Sequence, residues 1–174
     1  MDNEAGYLKI INELANKISL LSFKVDLLTE PLSMNILINY HRDKYPELMP
    51  LEKHGNFYDL RAAETIKLSK NTHTLIPLGI SIQLPKGYYA KVVARSSSFK
   101  NFGFVLANSV GIIDTDYAGP DDLWFLSVLP SRDQEIQVND RIAQFTIEKE
   151  ISFTLKEGTW EADNRGGHGN SGIK

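Results

Sequence analysis

Two aspartates, Asp114 and Asp116, stand two residues apart in the stretch Asn108-Ser-Val-Gly-Ile-Ile-Asp-Thr-Asp-Tyr-Ala-Gly119, with Tyr117 directly behind them. The stretch reads as a β-hairpin: an apolar arm (Val110, Ile112, Ile113), a polar tip and a turn glycine. In an extended chain, residues two apart point to one face, so both carboxylates would lie on the same side. Paired there, they suit proton transfer. Asp is also a turn residue in its own right, because its side chain hydrogen-bonds nearby backbone. Two further groups have the chemistry of anion binding. Arg95-Ser-Ser-Ser98 sets a guanidinium beside consecutive hydroxyls at the end of a strand, a donor set that fits phosphate. Arg141-Ile-Ala-Gln144 opens another strand; Gln144 can donate to an anion, and Arg141 either does the same or holds a structural acid. The glycine-rich stretch 163–172 contains Arg165, His168 and Ser171. Glycines let backbone amides approach a polyanion, and arginine pairs with phosphate oxygens. By itself such a stretch is equally a disordered terminus.

The elements that must position these groups fall into two kinds. Over residues 4–30, Tyr7, Ile11, Leu14, Ile18, Leu21, Val25 and Leu28 recur at alternating spacings of four and three, which predicts a helix stopped by Pro31. As a heptad, Ile11, Ile18 and Val25 fall at a, and Tyr7, Leu14, Leu21 and Leu28 at d. The helix is either an oligomerisation element or an amphipathic element packed on its own domain. From Ser33 onward the pattern is β: Asn35–Tyr40, Phe57–Ala62, Thr65–Leu68, Thr74–Leu84, Tyr88–Ala94, Gly103–Leu106, Leu123–Leu129, Glu135–Val138 and Ile142–Glu148 are short, apolar or β-branched, and bounded by turn residues. Many short strands predict a sandwich or a jelly-roll-like barrel. The expected organisation is a helix over 1–32, a β-barrel over 33–160 and a glycine-rich arm over 161–174.

Composition narrows the function classes. The 174-residue chain has a net charge of −3, which argues against bulk nucleic-acid binding. It has no cysteine, so neither disulfides nor thiolate metal sites are expected. No apolar run is long enough to span a bilayer, and the first residues lack the basic start of a signal peptide, so a cytoplasmic location is expected. His168 has no second histidine or acid at ligand spacing, which speaks against a metal role for it; His41, His54 and His73 read as loop surface residues.

In order along the chain, Tyr58-Asp-Leu-Arg-Ala62, Arg95-Ser-Ser97, Gly111-Ile-Ile-Asp-Thr-Asp-Tyr-Ala-Gly119, Arg141-Ile-Ala-Gln144 and Arg165-Gly-Gly-His-Gly-Asn-Ser-Gly172 resemble the five motifs of the homotrimeric dUTPase family. The resemblance runs from Phe57 to Gly172 and looks closest to Bacillus-type and phage forms. It implies a jelly-roll-like β-barrel with an added N-terminal helix, and a homotrimer whose sites form between subunits and are closed by the glycine-rich arm. The implied reaction is Mg²⁺-assisted hydrolysis of dUTP to dUMP and pyrophosphate. It also implies residue roles. Asp114 matches the acid that activates the attacking water. Asn108 and the backbone around Gly111 and Ile113 match the uracil reader, and Tyr117 the ring under deoxyribose. Arg95, Ser96, Ser97 and Gln144 match phosphate-binding positions, Arg165 and Ser171 belong to the arm over the phosphates, and Asp59 matches an acid linked to the metal through water. Asp116 becomes a turn acid.

The departures lie in the arm, which is shorter between its arginine and its Gly-Gly pair and carries His168 where the family has phenylalanine. His168 is therefore expected to stack on uracil. Two other functions remain in view. One is a deaminase of the dCTP deaminase class, which shares the fold. The other is a binding protein on a dUTPase scaffold that engages a repressor, with the N-terminal helix as the surface for such a protein partner.

Overall fold

A computed structural model of the chain describes residues 2–29 and 34–162, and within the helix the side chains of residues 7–21. The chain divides into two compact units, Met1–Ile36 and Leu37–Lys174. The first holds α1 (Asp2–Thr29), whose apolar side chains from Tyr7 to Leu21 are exposed.

The second unit is almost entirely β. Its strands are β1 (Leu37–Tyr40), β2 (Lys53–His54), β3 (Phe57–Arg61), β4 (Ile66–Leu68), β5 (Thr74–Pro77), β6 (Ile80–Gln83), β7 (Tyr88–Ala94), β8 (Phe104–Leu106), β9 (Gly111–Ile113), β10 (Phe125–Pro130), β11 (Gln134–Ile136) and β12 (Arg141–Lys149), with a one-turn helix α2 (Ser98–Phe102) between β7 and β8. They form a five-stranded sheet β2-β3-β12-β7-β9, a three-stranded sheet β5-β10-β8 and the pairs β1-β6 and β11-β4. All pairings are antiparallel. The core follows from alternation. In β10, Leu126 and Val128 point inward while Phe125 and Leu129 point out. Trp124, 1% exposed, meets the Phe145 ring edge-on at 5.2 Å and anchors the interior.

Two departures from the sequence pattern shape the site. Thr74–Leu84, expected as one strand, is two strands in different sheets. Gly79 breaks the run at φ +64, where an added Cβ would meet Leu48 Cδ2 at 2.8 Å and Ala63 Cβ at 2.9 Å. The hairpin expected over Asn108–Gly119 is also not a ladder of its own: its one strand is β9, which pairs with β7, and residues 114–119 form turns with no second strand. Asp114 and Asp116 leave β9 and lie in the turn that follows, so strand alternation does not align them.

The outer face of sheet β5-β10-β8 is apolar where an antiparallel sheet facing water is normally polar. Leu75, Val105, Phe125 and Leu129 are 41–54% exposed there, with Leu75 opposite Ser127 and Leu129 opposite Val105. Beyond β12 the described chain has no regular structure, and Ile151, Phe153, Leu155 and Trp160 along it are exposed.

Candidate active site

The five-stranded sheet sets three of the sequence groups side by side. Gln144 on β12 pairs with Asp59 on β3 and with Val93 on β7, two residues before Arg95. Between Arg141 and Ala143 the register against β3 slips, so Ile142 is an extra residue in a β-bulge. A bulge bends its strand, re-aims side chains and leaves the extra residue out of the ladder. Ser98 takes up the freed group: its Oγ donates to Ile142 O at 2.8 Å and accepts the Arg95 N–H at 3.0 Å. This serine is fully buried and ties the Arg95 turn to the start of β12. Ser97 is half-buried and Ser96 exposed.

Asp59 is the centre of the cluster, 2% exposed and held by two guanidiniums. Arg95 Nε lies 2.9 Å from Oδ1, and Arg141 Nη1 donates to Oδ2 at 3.2 Å. Of the two roles open to Arg141, the structure shows it holding the acid. Further charged groups stand behind. Arg61 Nη2 pairs with Glu52 Oε1 at 2.7 Å, and His54 Nε2 lies 3.2 Å from Arg141 Nη1 and 3.4 Å from Glu52 Oε2. His54 lies in strand β2 rather than in the expected loop; it is exposed, as expected, yet it has three charged neighbours, since Asp59 Oδ2 is also 3.6 Å away. His41, too, has a partner, Ser81 Oγ at 3.1 Å. Two of these partners are distant in sequence, Arg141 lying 87 residues from His54 and Ser81 lying 40 from His41.

The second cluster surrounds β9. Ser109, before it, takes φ +61, unusual for a residue with a side chain, and the Val110 N–H closes a three-residue turn on Asn108 O at 2.6 Å. Asn108 is thereby held on an arm with little conformational freedom. Gly111 packs so closely on β7 that a Cβ would stand 3.1 Å from Val92 Cβ. Asp114, exposed, accepts the Thr115 hydroxyl at 3.1 Å and the Asp116 N–H at 3.4 Å through Oδ1. Oδ2 has no described partner and is the oxygen open to a water. Tyr117 is half-exposed, and its hydroxyl donates to Leu123 O at 2.8 Å.

The two clusters do not meet within one chain. Ile113 is paired with Ala90, so Asp114 leaves the sheet toward the start of β7, whereas Arg95 follows its end. Arg95 lies five residues beyond Ala90, about 17 Å along an extended strand. Arg165, His168 and Ser171 lie outside the described residues.

A sequence model described as dUTPase matches residues 48–172. The chain belongs to the dUTPase family. It is 41% identical over 143 residues to the SPbeta prophage-derived deoxyuridine 5'-triphosphate nucleotidohydrolase YosS of Bacillus subtilis, covering 81% of this chain and 100% of that one. A second relative, the deoxyuridine 5'-triphosphate nucleotidohydrolase of Finegoldia magna, is 35% identical over 142 residues, 79% of this chain and 97% of that one. Two solved structures share the dUTPase fold at low identity. The dUTPase of Staphylococcus bacteriophage 80alpha with dUPNHPP aligns with a TM-score of 0.69 and 18% identity, covering 81% of this chain and 100% of that one. A mutant dUTPase from phage phi11 of S. aureus, which coordinates a structural Mg(II) ion, aligns with a TM-score of 0.63 and 17% identity, covering 72% of this chain and 97% of that one.

A family member that uses Mg²⁺ would need few protein oxygens, because this ion keeps its waters and prefers substrate phosphates. Among the described residues no three His, Asp or Glu side chains group to hold a metal. Both oxygens of Asp59 are engaged by arginines. Beside β9, on the outer side of β7, Tyr89 donates to Glu148 Oε2 at 2.7 Å and Lys91 to Oε1 at 3.2 Å. The Tyr89 hydrogen bond, then that of Lys91, holds the Glu148 carboxyl below its ordinary range, and the same bond raises the Tyr89 phenol.

Proposed function

We propose that this chain hydrolyses dUTP to dUMP and pyrophosphate at sites shared between the subunits of a homotrimer. One observation carries the reading: the phosphate-side cluster around Arg95 and the Asp114 loop stand at opposite ends of β7, so a complete site needs the Asp114 end of one chain beside the Arg95 end of another. The apolar outer face of sheet β5-β10-β8 supports burial against further copies, as do the exposed apolar residues of 151–160.

The residues divide the work. Asp114 takes a proton from the water that attacks the α-phosphate. Asn108 and the backbone of Gly111–Ile113 read the donor and acceptor edge of uracil. A base with the wrong pattern leaves a buried polar group unpaired, which costs about 1–3 kcal/mol. The Tyr117 ring lies against deoxyribose and disfavours a ribose hydroxyl. Arg95, Ser96, Ser97 and Gln144 hold the phosphates. Arg165 and Ser171 of the arm close over them, and His168 stacks on the base. Mg²⁺ on the triphosphate, reached by Asp59 through water, supplies charge neutralisation when bound.

The test is release of pyrophosphate from dUTP by the full chain with Mg²⁺, beside dCTP and UTP. Turnover of dUTP alone is expected. Ammonia release from dCTP without pyrophosphate would replace this reading with the deaminase one.

A further inference from the structure

Between β9 and Trp124 the chain makes an excursion over residues 114–123 that carries both Asp114 and Tyr117. Its hydrogen bonds are nearly all internal. The Tyr117 N–H donates to Asp114 O at 3.1 Å and the Tyr117 hydroxyl to Leu123 O at 2.8 Å, while the Gly119 N–H donates to Asp122 Oδ2 at 2.8 Å. Among the described residues, only two hydrogen bonds tie this loop to the barrel, and both end on one atom, the carbonyl oxygen of Pro120. Ser81 Oγ donates to it at 2.7 Å and Asn39 Nδ2 at 3.4 Å. Ser81 and Asn39 are directly opposed on β6 and β1, so the β1-β6 pair holds both donors beneath one point of the loop.

The proton arrangement is determined by this geometry. A carbonyl only accepts, so the single hydrogen of Ser81 goes to Pro120. His41 Nε2, 3.1 Å from Ser81 Oγ, is then the donor in that contact, and it cannot also accept from Asn39 Nδ2, whose 3.5 Å approach is the longer of the two. The result is a directed chain, His41 N–H to Ser81 O–H to Pro120 C=O, whose links polarise one another. Its middle member is 2% exposed, so water does not compete for it. Tyr117 is braced at two points within the loop, through its N–H and its hydroxyl, and therefore moves with the loop.

We propose that Ser81, oriented by His41, is a positioning residue for Tyr117, and that the pin it makes on Pro120 sets how strictly the site separates deoxyribose from ribose. The inference rests on the reading of Tyr117 as the sugar-contacting ring. Ser81→Ala, His41→Ala and Ser81→Thr are compared by steady-state kinetics on dUTP and UTP and by hydrogen exchange of the Tyr117 and Gly119 amides. Loss of one such hydrogen bond corresponds to about a fivefold change in an equilibrium. Ser81→Ala and His41→Ala are therefore expected to lower the dUTP-over-UTP ratio of kcat/KM about fivefold and to speed exchange of both amides, while Ser81→Thr, which keeps the hydroxyl, retains the wild-type ratio. A wild-type ratio and wild-type exchange in the alanine variants would overturn the proposal. Should Ser81→Ala fail to fold, His41→Ala decides on the same two readouts. Should the wild-type chain not turn over dUTP, the functional reading fails by itself, and amide exchange alone decides whether Ser81 holds the loop.

Discussion

Mixing two inactive variants tests whether the site is shared between chains. Asp114→Asn removes the proposed base near the start of β7, and Arg95→Ala removes the guanidinium beyond its end, about 17 Å away along the strand. Asp114 must come within one water of the α-phosphate, so its own chain's Arg95 is out of reach of the same substrate. Each variant alone is expected to lose at least about a hundredfold in turnover. In assemblies refolded together from equal amounts, a site takes Asp114 from one chain and Arg95 from another. Each is intact with a chance of one half, so about a quarter of the sites contain both. The arm residues are unaltered in both variants. The expected pyrophosphate release is therefore about a quarter of the wild-type rate per chain, against nearly none before mixing. Activity of the mixture no higher than the mean of the two variants would refute the argument, because the two clusters would then have to act within one chain.

Three further outcomes follow from burial and backbone geometry. Asp59→Asn leaves Arg95 and Arg141 facing each other without the shared carboxylate. Because both arginines reach solvent, the loss is expected at about 2–3 kcal/mol, below that of a fully buried pair, in urea unfolding at fixed protein concentration; an unchanged midpoint would contradict the ion-pair account. Gly79→Ala meets both a φ of +64 and the Leu48 and Ala63 side chains, whereas Gly55→Ala at φ +62 has open space. The first is expected to destabilise by more than about 2 kcal/mol and the second by about 1 kcal/mol, and equal thermal shifts would show that packing at Gly79 is immaterial. Trp124→Ala empties a buried site and is expected to lose about 3–5 kcal/mol. Trp124→Phe should lose far less, since among the described residues the buried Trp124 Nε1 donor has no partner and its removal offsets part of the lost packing; chemical denaturation of the two variants decides it.

Much of the architecture was legible because its strands are short, apolar and bounded by turn residues. Phe57–Ala62, Tyr88–Ala94 and Ile142–Glu148 each coincide with an observed strand to within a residue or so. Legibility failed where partners are distant. The Asn108–Gly119 stretch looks like a hairpin locally, but its one strand, β9, finds its partner in β7, which the sheet decides and the turn does not. The same holds for charge. Asp59 and Arg141 are 82 residues apart in sequence and 3.2 Å apart in space, so the arginine's role could be framed but not chosen. His54 and His41 read as surface because Arg141 and Ser81 reach them from strands 87 and 40 residues away. Ser98 was included only as one more hydroxyl of a run, and its role depends on a bulge at Ile142 that no periodicity announces. Gly79 does carry a local signal: a glycine inside a strand pattern marks a break or a close approach, and here it is both.

The bare face of Leu75, Val105, Phe125 and Leu129 makes the quantity of protein a variable of its behaviour. If the proposed trimer buries that face, a chain diluted until it stands alone exposes those side chains to water and holds only part of each proposed site. Folding, assembly and turnover then respond to a single dial, the number of copies present. Specific activity should fall on dilution where a self-contained enzyme would keep it, and the same dilution should lower the melting temperature. Scarce chains would be idle and vulnerable together, and both conditions would lift at one threshold of expression.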